Sequence, residues 1–366
     1  MPIKELREAR KLKKISRKDL SKQLNIKFNL IKNFETLSEE EKLMNICLAE
    51  KENLFKLSIY FDLNFKNLIT SNGLSMNSFN TLYSQSFPIE GKEEIYFSSW
   101  QSFLKYYLEN IFQKFDTELI WRGQENPKWL LKSSLVRSYS DEIGEETVDV
   151  IFNYFKEALK GKTEAINLEH IEFFNSGVKI NNKVESNEIK SKTEMYKFLS
   201  LGQHHGLKTP LMDWTKSPFI GAYFAFSNLN YTESNYRVIY AINKSLLLDI
   251  LETNDEVKLL EERTHFNLRL INQQGMFIYG PLKTDLESWL LDQYKKKYLE
   301  DNPEIKLFGI NLSEKKIILY KFLIPNYDKN SIMKFLNTMN INPTTLFPDV
   351  SGAAKAANLN LELNTI

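Results

Sequence analysis

Apolar residues recur at intervals of three and four along residues 1–70, which predicts a bundle of short helices. Ser16 stands directly before the segment RKDLSKQL and suits the N-cap of a second helix, and Asn25 suits the turn after it. A third helix is predicted from about Lys27 to Phe34, with an inner face made of Phe28, Ile31 and Phe34. The pattern therefore predicts two helices joined by a tight turn.

The outer face of the third helix is polar and basic. Residues 1–35 contain eleven Lys and Arg against four Asp and Glu, a local net charge of +7. Two helices joined by a tight turn, with a basic outer face, suit a helix-turn-helix that enters a DNA major groove. The residues free for DNA contacts would be Lys27, Asn29, Lys32 and Asn33. The other interpretation is a bundle that binds protein or dimerises.

The sequence LREARKLKKISRKDLSKQLNI at Leu6–Ile26 resembles the helix-turn-helix of the lambda-repressor-like, or XRE, family. The segment NLFKLSIYFDLNFKNLI at Asn53–Ile69 is similar to the closing helices of that family. Two features differ: Ser21 stands where the family usually has alanine, and Phe28 and Asn29 stand where serine or threonine is common. The resemblance implies DNA as a partner.

Beyond the bundle, strand-like and helix-like patterns are mixed. Residues 70–88 are rich in Ser, Asn and Gly without a sustained period, which predicts a linker. Residues 177–192 are polar and charged, which predicts a loop. Apolar runs such as Arg237–Asn243 predict strands, and periodic segments such as Glu142–Asn167 predict helices. We therefore predict an α+β protein with three parts, which are an all-α bundle at 1–70, a linker at 71–92 and a larger mixed domain at 93–366.

Composition narrows the classes of function. The charge is balanced, with 48 Lys and Arg against 47 Asp and Glu. The single cysteine, Cys47, excludes an internal disulfide and any site built from several cysteines. With no leader sequence and no apolar run of about 20 residues, we expect a cytoplasmic protein without a membrane partner. The sequence contains no Walker-type loop, GxGxxG or GxSxG motif, which argues against kinase, dehydrogenase and serine hydrolase functions.

Arg122 and Gly123 follow a predicted short strand, Leu119–Trp121. An arginine at a strand end can hold a phosphate or a carboxylate by a two-pronged hydrogen bond. The glycine beside it lets another backbone or a ligand come close. The alternative is an ion pair that ties the strand end to a nearby acid, and the chemistry alone does not separate the two interpretations.

The segment Phe198–Ser227 places several polar residues among apolar neighbours. His204 and His205 are predicted at a helix end, where an imidazole can bind a ligand hydroxyl. A structural role for the pair is the competing interpretation. No third ligand at a metal spacing accompanies the two histidines, so no metal is expected.

Asp213 lies in a predicted strand, and as a buried acid it would need a partner, for which Arg122 is one candidate. Thr215 is predicted to cap a helix that begins near Ser217 and Pro218. The N-terminus of that helix would suit an anion. The apolar face of the helix is equally consistent with an ordinary core.

Four blocks of sequence, in the same order along the chain, resemble the FRG domain, which is named for a Phe-Arg-Gly motif. The blocks are WRGQ at Trp121–Gln124 with Ser134, Leu135 and Arg137 after it, QHHGLKTPLMDWTKSPFIGAYFA at Gln203–Ala225, RLINQQGMF at Arg269–Phe277, and NINPTTLFPDVSG at Asn340–Gly352. Two positions depart from the family pattern: Trp121 replaces phenylalanine, and Pro210 stands where the family has arginine.

The order of these blocks is similar to a distant ADP-ribosyltransferase plan, and this resemblance implies NAD as a substrate. The catalytic candidates that it implies are Arg122, His204, His205, Asp213 and Gln274. The residues that it implies for cofactor binding are Arg122, Gly123, Gln203, His205, Thr215 and Gln273. Gln274 stands where the plan has a catalytic glutamate. Because glutamine cannot supply the negative charge that stabilises an oxocarbenium-like transition state, Asp213 or a histidine would have to take that role.

Two functions of different classes follow. The first is a DNA-tethered effector or toxin with ADP-ribosyltransferase-like or NAD-hydrolysing activity, active in bacterial stress or antiphage defence on an unidentified protein or nucleic-acid acceptor. The second is a non-catalytic transcriptional regulator whose FRG domain senses a small ligand, which the glutamine favours. A protein-interaction scaffold is a third interpretation. The oligomeric state is open, with a dimer as one alternative.

Overall fold

The computed structural model describes residues 3–37, 40–70, 84–113, 118–139, 143–159, 178–180, 190–262, 268–300 and 317–365. The helices in these ranges are α1 (Lys4–Leu12), α2 (Arg17–Leu24), α3 (Phe28–Thr36), α4 (Glu40–Ala49), α5 (Lys51–Tyr60), α6 (Phe65–Thr70), α7 (Trp100–Tyr106), α8 (Ser134–Tyr139), α9 (Glu145–Leu159), α10 (Lys190–His204), α11 (Pro218–Phe226), α12 (Lys244–Leu251), α13 (Leu268–Asn272), α14 (Leu286–Lys295), α15 (Lys329–Thr338), α16 (Pro343–Leu346) and α17 (Val350–Thr365). The strands are β1 (Ser84–Ile89), β2 (Lys92–Phe97), β3 (Leu119–Gln124), β4 (Val178–Ile180), β5 (Leu211–Thr215), β6 (Tyr236–Asn243), β7 (Lys258–Glu262), β8 (Gly275–Tyr279) and β9 (Leu319–Pro325). The protein is therefore of the mixed α+β class.

Helices α1 to α6 share one hydrophobic core, which includes Leu20, Phe34 and Leu54. Helix α2 begins as predicted, because the Ser16 side chain accepts a hydrogen bond from the amide of Asp19. Asn25 ends the helix with a left-handed φ of 52°, which asparagine tolerates better than most residues. The predicted succession of helix, turn and helix is present.

The inner face of α3 differs from the prediction at Phe28, which is 44% exposed. The buried apolar residues of this helix are Leu30, Ile31 and Phe34. With about 100° between successive residues, Phe28 lies roughly 110° from the centre of that stripe. The predicted inner face is therefore confirmed for Ile31 and Phe34, whereas Leu30 is buried in place of Phe28.

A buried ion cluster joins three helices of the bundle. The carboxylate of Glu35, 2% exposed, accepts hydrogen bonds from Arg10 at 2.6 and 3.0 Å and from Arg17 at 2.7 Å. Burial alone would raise the pKa of this carboxyl, but the hydrogen bonds from the two arginines outweigh burial and lower the pKa below its ordinary value. The cluster fixes α1, the start of α2 and the end of α3 relative to one another.

The nine described strands form one mixed sheet in the order β1-β2-β9-β6-β3-β5-β8-β7-β4. Strands β2 and β9 are parallel, and the other described neighbours are antiparallel. β6 is buried along its whole length and pairs with β3 on one side and β9 on the other. The candidate site residues on β3 and β5 thus lie in the middle of the sheet.

The two faces of the sheet are covered by different helices. On one face, Ile120, Trp214 and Tyr240 join a core with α12 and α14. The other face divides into a cluster with α11 and α15, which contains Trp121, and a cluster with α8, α9 and α10, which contains Phe277. A gap between these two clusters leaves room for a cavity above β3 and β5.

The helical bundle contacts the sheet through the turn after α5. The side-chain amide of Asn235 donates to the Asp62 carbonyl at 2.7 Å, and Lys128 pairs with the Asp62 carboxylate at 3.0 Å. The Lys66 ammonium lies 5.8 Å from the centre of the Tyr327 ring. The exposed ion pair contributes little, so this contact is held mainly by the backbone hydrogen bond and by packing of Tyr96 against the bundle core.

Two predictions about irregular segments were wrong where the structure describes them. Residues 84–92, predicted to belong to the linker, lie in the β1–β2 hairpin. β1 is an edge strand, which tolerates Pro88 because an edge strand leaves some amides without sheet partners. The predicted loop at 177–192 includes strand β4, and α10 begins at Lys190. Residues 71–83 and 181–189 lie outside the described ranges.

In the described part of the chain, no helix combines the length and the apolar character needed to cross a bilayer. The same residues contain no cluster of three or more His, Cys, Asp or Glu side chains that could hold a metal ion.

Candidate functional site

Strands β3 and β5 are neighbours in the sheet, but one residue pair, Trp121 opposite Thr215, is the whole register between these two described strands. β3 follows β6 over six residue pairs, and β5 follows β8 over five. The sheet is therefore split beyond Trp121, and the split exposes the backbone and side chains of both strands to a cavity.

A cavity of about 330 Å³ opens at this split. Its lining is Trp121, Arg122, Gly123, Gln203, His204, Asp213, Trp214, Thr215, Phe224, Arg269, Leu270, Gln273, Gly275, Met276 and Phe347. Each of these fifteen residues lies in one of the four sequence blocks described above, and each block supplies at least one. The fold thus brings together segments that are separated by up to about two hundred residues in the chain.

Arg122 reaches across the split from β3. Its terminal nitrogen donates to the backbone carbonyl of Asp213 at 2.6 Å, and no ion pair with the Asp213 carboxylate replaces this bond. The Nε of Arg122 is shielded from solvent and has no hydrogen-bond partner among the described residues. Burial lowers the pKa of this guanidinium, an effect that Asp213 opposes and Arg137 reinforces. The structure thus shows no ion pair between Arg122 and the Asp213 carboxylate, while a ligand-holding role for Arg122 stays a prediction.

Gly123 explains why β3 can lie so close to α11. A Cβ at this position would overlap the carbonyl oxygen of Gly221 and lie 2.5 Å from the amide nitrogen of Ala225. The sequence allowed either another backbone or a ligand to lie against this glycine. In the structure its neighbour is the backbone of helix α11. The close approach fixes the neighbouring Arg122 at the cavity wall.

Asp213 is exposed, which corrects the prediction of a buried acid. Its carboxylate accepts a hydrogen bond at 2.8 Å from the side-chain amide of Gln203. The Gln203 carbonyl in turn accepts from the Thr209 hydroxyl, which fixes the orientation of the amide. Asp213 is the one acidic residue in the described lining of the cavity. A carboxylate held by an oriented amide therefore faces the cavity.

The two histidines point to different places. His204, the last residue of α10, lines the cavity and lies 6.5 Å from the Phe277 ring. Burial lowers the pKa of its imidazole; Asp213 opposes this effect, whereas Arg269 and His205 reinforce it. His205 is exposed and lies outside the cavity lining. The structure thus brings only the first histidine to the site, because His205 follows the end of the helix.

Thr215 lines the cavity but does not cap the next helix directly. Its hydroxyl donates to the Gln273 carbonyl at 2.6 Å and accepts from the Ser217 amide at 3.1 Å. The N-cap of α11 is Ser217, whose side chain accepts from the Ile220 amide. The first turn of α11 is not part of the cavity lining, so the predicted anion site at this helix start is not part of the cavity.

Gln273 and Gln274 also separate. Gln273 lines the cavity, and its side chain donates to the Leu346 carbonyl at 3.0 Å. Gln274 is exposed, has a left-handed φ of 46° and lies outside the cavity lining. The structure therefore does not place Gln274, which the sequence put at a catalytic position, with the other candidates that line the cavity.

Other cavity residues were quoted in the four blocks without a predicted role. Arg269 donates to Asp349 at 2.7 Å and lowers the pKa of that carboxyl, while its guanidinium lies 5.7 Å from the Phe347 ring centre. Phe224 and Phe347 pack edge to face, 6.2 Å apart, at the cavity rim. The resemblance to the FRG motifs was the available signal for these residues, since their spacing alone carries no such indication.

In the bundle, the predicted DNA-contact residues occupy one end of α3. Lys27, Asn29 and Lys32 are exposed, and Asn33 is half-buried. Exposed Phe28 lies among them. The described structure leaves these groups accessible, and their role in DNA binding remains a prediction.

Comparison with known families supports part of this picture. The family model described as FRG domain matches residues 117–234. Neither curated proteins nor solved structures gave a match. An FRG domain is thus present, and the matched residues include β3, β5 and α11, which carry the first two of the four blocks. The blocks that contain Arg269 and Phe347 lie beyond the match and complete the same cavity.

Proposed function

We propose that the cavity binds NAD as a substrate, and that the protein breaks the nicotinamide–ribose bond to transfer ADP-ribose or to hydrolyse NAD. The observation that carries this proposal is the lining itself, in which four sequence blocks converge on one cavity with two arginines, one carboxylate and several aromatic rings. No metal takes part in the proposal.

The charges of the lining favour a negatively charged ligand with a reactive centre that becomes positive. Arg122 and Arg269 supply two guanidinium groups, of which Arg269 is already paired with Asp349. Phe224 and Phe347, which are half-buried at the cavity rim, supply aromatic surface on which a base or a nicotinamide ring can pack. A dinucleotide combines anionic phosphates with two such rings, which matches this composition.

Breaking the bond between nicotinamide and ribose leaves positive charge on the sugar. We assign Asp213 the role of stabilising that charge, since it is the acid among the described lining residues and the Gln203 amide orients it. Gln203 and Gln273 would fix the ligand by hydrogen bonds. His205 and Gln274 lie outside the lining and have no part in this mechanism.

The test is nicotinamide release from NAD by the full-length protein. Arg122→Gln removes the cation that faces the cavity, and we expect at least a roughly 100-fold loss of kcat/KM, since a charge-assisted contact contributes about 1.5–3 kcal/mol and also positions the substrate. Arg7→Gln is the matched control, because Arg7 is exposed on α1 and lies outside the lining. The proposal fails if the wild-type protein neither releases nicotinamide nor transfers ADP-ribose, or if both variants behave alike.

For the cellular role we propose a DNA-tethered effector of bacterial stress or antiphage defence that acts in the cytoplasm. The acceptor would be a protein or a nucleic acid. The exposed basic residues at the start of α3 support the tether. Replacing Lys32 by Ala should weaken DNA binding and reduce the salt slope by about one, whereas Lys105→Ala, an exposed change on α7, should not.

A second function, a non-catalytic regulator that senses a small ligand, is favoured by two observations. Gln274 lies outside the cavity and cannot replace a catalytic glutamate. The bundle also contacts the rest of the protein at Asp62, where a ligand-dependent change could reach it. This function predicts NAD or nucleotide binding without turnover and DNA affinity that changes when the ligand is added.

A further inference from the structure

Beneath the cavity, four side chains carry polar atoms that are buried and lack a hydrogen-bond partner among the described residues. They are the Nε of Arg122, both amide atoms of Gln124, the indole nitrogen of Trp214 and the hydroxyl of Tyr240. Gln124 is 6% exposed, Trp214 2% and Tyr240 0%. We call these four residues the inner polar cluster.

Strand register places the members of the cluster side by side. Arg122 on β3 is directly opposite Tyr240 on β6. Trp214 of β5 precedes Thr215, the partner of Trp121, so it lies across the split from Arg122, and both residues line the cavity. Gln124 lies two residues beyond Arg122 and so points to the same face of β3. The guanidinium of Arg122 therefore has the other three members as its neighbours on that face.

Orphaned polar atoms at this depth are rare, since an unmatched buried donor or acceptor costs about 1–3 kcal/mol each. Single atoms of this kind also occur elsewhere in the described chain, at Trp100 and Ser200 for example. Replacement by Phe at 240 or Leu at 124 would preserve the packing of the core without the cost. The retention of five orphaned atoms around one arginine indicates a site that a ligand completes.

The chemistry of the five atoms specifies the ligand. Arg122, Trp214 and the Gln124 amide nitrogen can only donate, and the Tyr240 hydroxyl can donate as well. The Arg122 guanidinium donates to a neutral backbone carbonyl, so an anion would also balance its positive charge. The Gln124 carbonyl is the one pure acceptor, and it requires a donor such as a ligand hydroxyl. An anion with an adjacent hydroxyl meets both requirements.

We propose that the inner polar cluster binds the sugar phosphate part of a nucleotide, with the phosphate at Arg122, Trp214 and Tyr240 and a sugar hydroxyl at the Gln124 carbonyl. Arg122 and Trp214 also line the cavity, so the ligand reaches the cluster through the split between β3 and β5. The inference rests on the proposed function in using the same cavity, but it requires binding and no turnover.

The experiment compares binding of ribose 5-phosphate, ribose and inorganic phosphate to the full-length protein by calorimetry. We expect ribose 5-phosphate to bind at least about tenfold more tightly than either fragment, since each fragment leaves part of the cluster unpaired. Gln124→Leu and Tyr240→Phe should each weaken ribose 5-phosphate binding by about tenfold. Tyr240→Phe should also raise the melting temperature of the ligand-free protein, because it removes an orphaned hydroxyl.

Tyr279→Phe is the matched control. Tyr279 is buried, but its hydroxyl already donates to Glu145 at 2.8 Å and lies outside the cavity lining. This variant should lower the melting temperature and leave ribose 5-phosphate affinity unchanged. If Tyr240 is purely structural, Tyr240→Phe will leave the affinity for ribose 5-phosphate unchanged, and that result would overturn the inference. Equal affinities of the wild-type protein for ribose 5-phosphate and inorganic phosphate would also overturn it.

The inference and the proposed function can fail separately. Binding of ribose 5-phosphate that depends on Gln124 and Tyr240, without nicotinamide release, would support the inference and exclude the enzyme. Nicotinamide release that is insensitive to both substitutions would support the enzyme and overturn the inference.

Discussion

Two arginine sites in this protein differ in how the arginine side chains are hydrogen-bonded. In the helical bundle, Arg10 and Arg17 give their hydrogen bonds to both oxygens of buried Glu35. At the split in the sheet, Arg122 has one bond to a backbone carbonyl and an Nε with no partner among the described residues. The first site lies inside the helical bundle, whereas the second lines a cavity of about 330 Å³.

The difference separates an arginine used for folding from an arginine available to a ligand. A charge cluster in which both oxygens of a buried carboxylate are paired stabilises one arrangement of three helices. An arginine with orphaned neighbours lowers the stability of the ligand-free fold and recovers that cost when a ligand binds. Buried polar atoms without partners are thus a better indication of a site here than the number of polar residues in a segment.

The largest effect is expected at Gly123, beside Arg122, where β3 lies against the backbone of α11. Gly123→Ala places a methyl group against the Gly221 carbonyl and the Ala225 amide, which belong to the helix backbone and cannot rotate away. We expect a loss of about 3 kcal/mol or more in the free energy of unfolding, measured by urea denaturation.

Gly144→Ala is the control for Gly123, because a Cβ there would meet no atom within 4 Å. It should leave stability within about 1 kcal/mol of the wild type. If Gly123→Ala is equally mild, the strand that carries Arg122 is not fixed by α11, and the position of the arginine at the cavity wall needs another explanation.

The next effect is expected at Glu35. Glu35→Gln removes the charge that pairs Arg10 with Arg17 and should cost about 2 kcal/mol, less than the loss of a fully buried pair because both arginines keep some contact with solvent. Glu52→Gln breaks an exposed pair with Lys56 and should cost less than about 0.5 kcal/mol. Denaturation curves of the three proteins provide the comparison.

The same substitution sharpens the contrast with Arg122. The lowered pKa of Glu35 means that its contribution is present above the ordinary pKa of a glutamate and is lost as pH falls through the folded value. Glu35→Gln should therefore flatten the acid limb of the stability curve while nucleotide binding at the cavity stays unchanged. A loss of nucleotide binding in this variant would show that the two sites are coupled.

Local signals predicted the helices of the bundle well. The N-cap at Ser16, the turn at Asn25 and the start of α3 depend on neighbouring residues, so the sequence contains them directly. Edge strand β1 and the short strand β4 were missed because their own residue patterns are weak, and β4 in addition pairs with the remote strand β7. Such strands are set by the partner strand rather than by their own residues.

The candidate site could be predicted only in part, because the positions of its side chains also depend on contacts between distant parts of the chain. The four blocks contained all fifteen lining residues, but within two adjacent pairs the structure places His204 and Gln273 in the lining and His205 and Gln274 outside it, which the sequence did not distinguish. A helix end and a left-handed turn decide which of two neighbours faces inward. Tyr240 was not predicted, because its position opposite Arg122 depends on the β3–β6 register, which joins residues more than a hundred positions apart.

The smallest effect is expected at His204, where attraction to Asp213 only partly offsets the cost of burying a charged imidazole. Its pKa in the folded protein is lowered from 6.5, first by burial, so the unfolded chain binds a proton more readily than the folded protein does. Stability should therefore fall as pH drops through 6.5 and should level off below the folded pKa. Urea denaturation between pH 5 and pH 8 measures this dependence.

His204→Gln should flatten that part of the curve, since the group responsible is gone, whereas His205→Gln should keep it, because His205 is exposed. Equal flattening in the two variants would mean that the histidines titrate as a pair and that His204 is not set apart by the cavity. The expected asymmetry follows from the different exposure of two adjacent residues. Burial shifts the pKa of His204 away from its value in the unfolded chain, and this shift is what makes the stability of the folded state depend on pH.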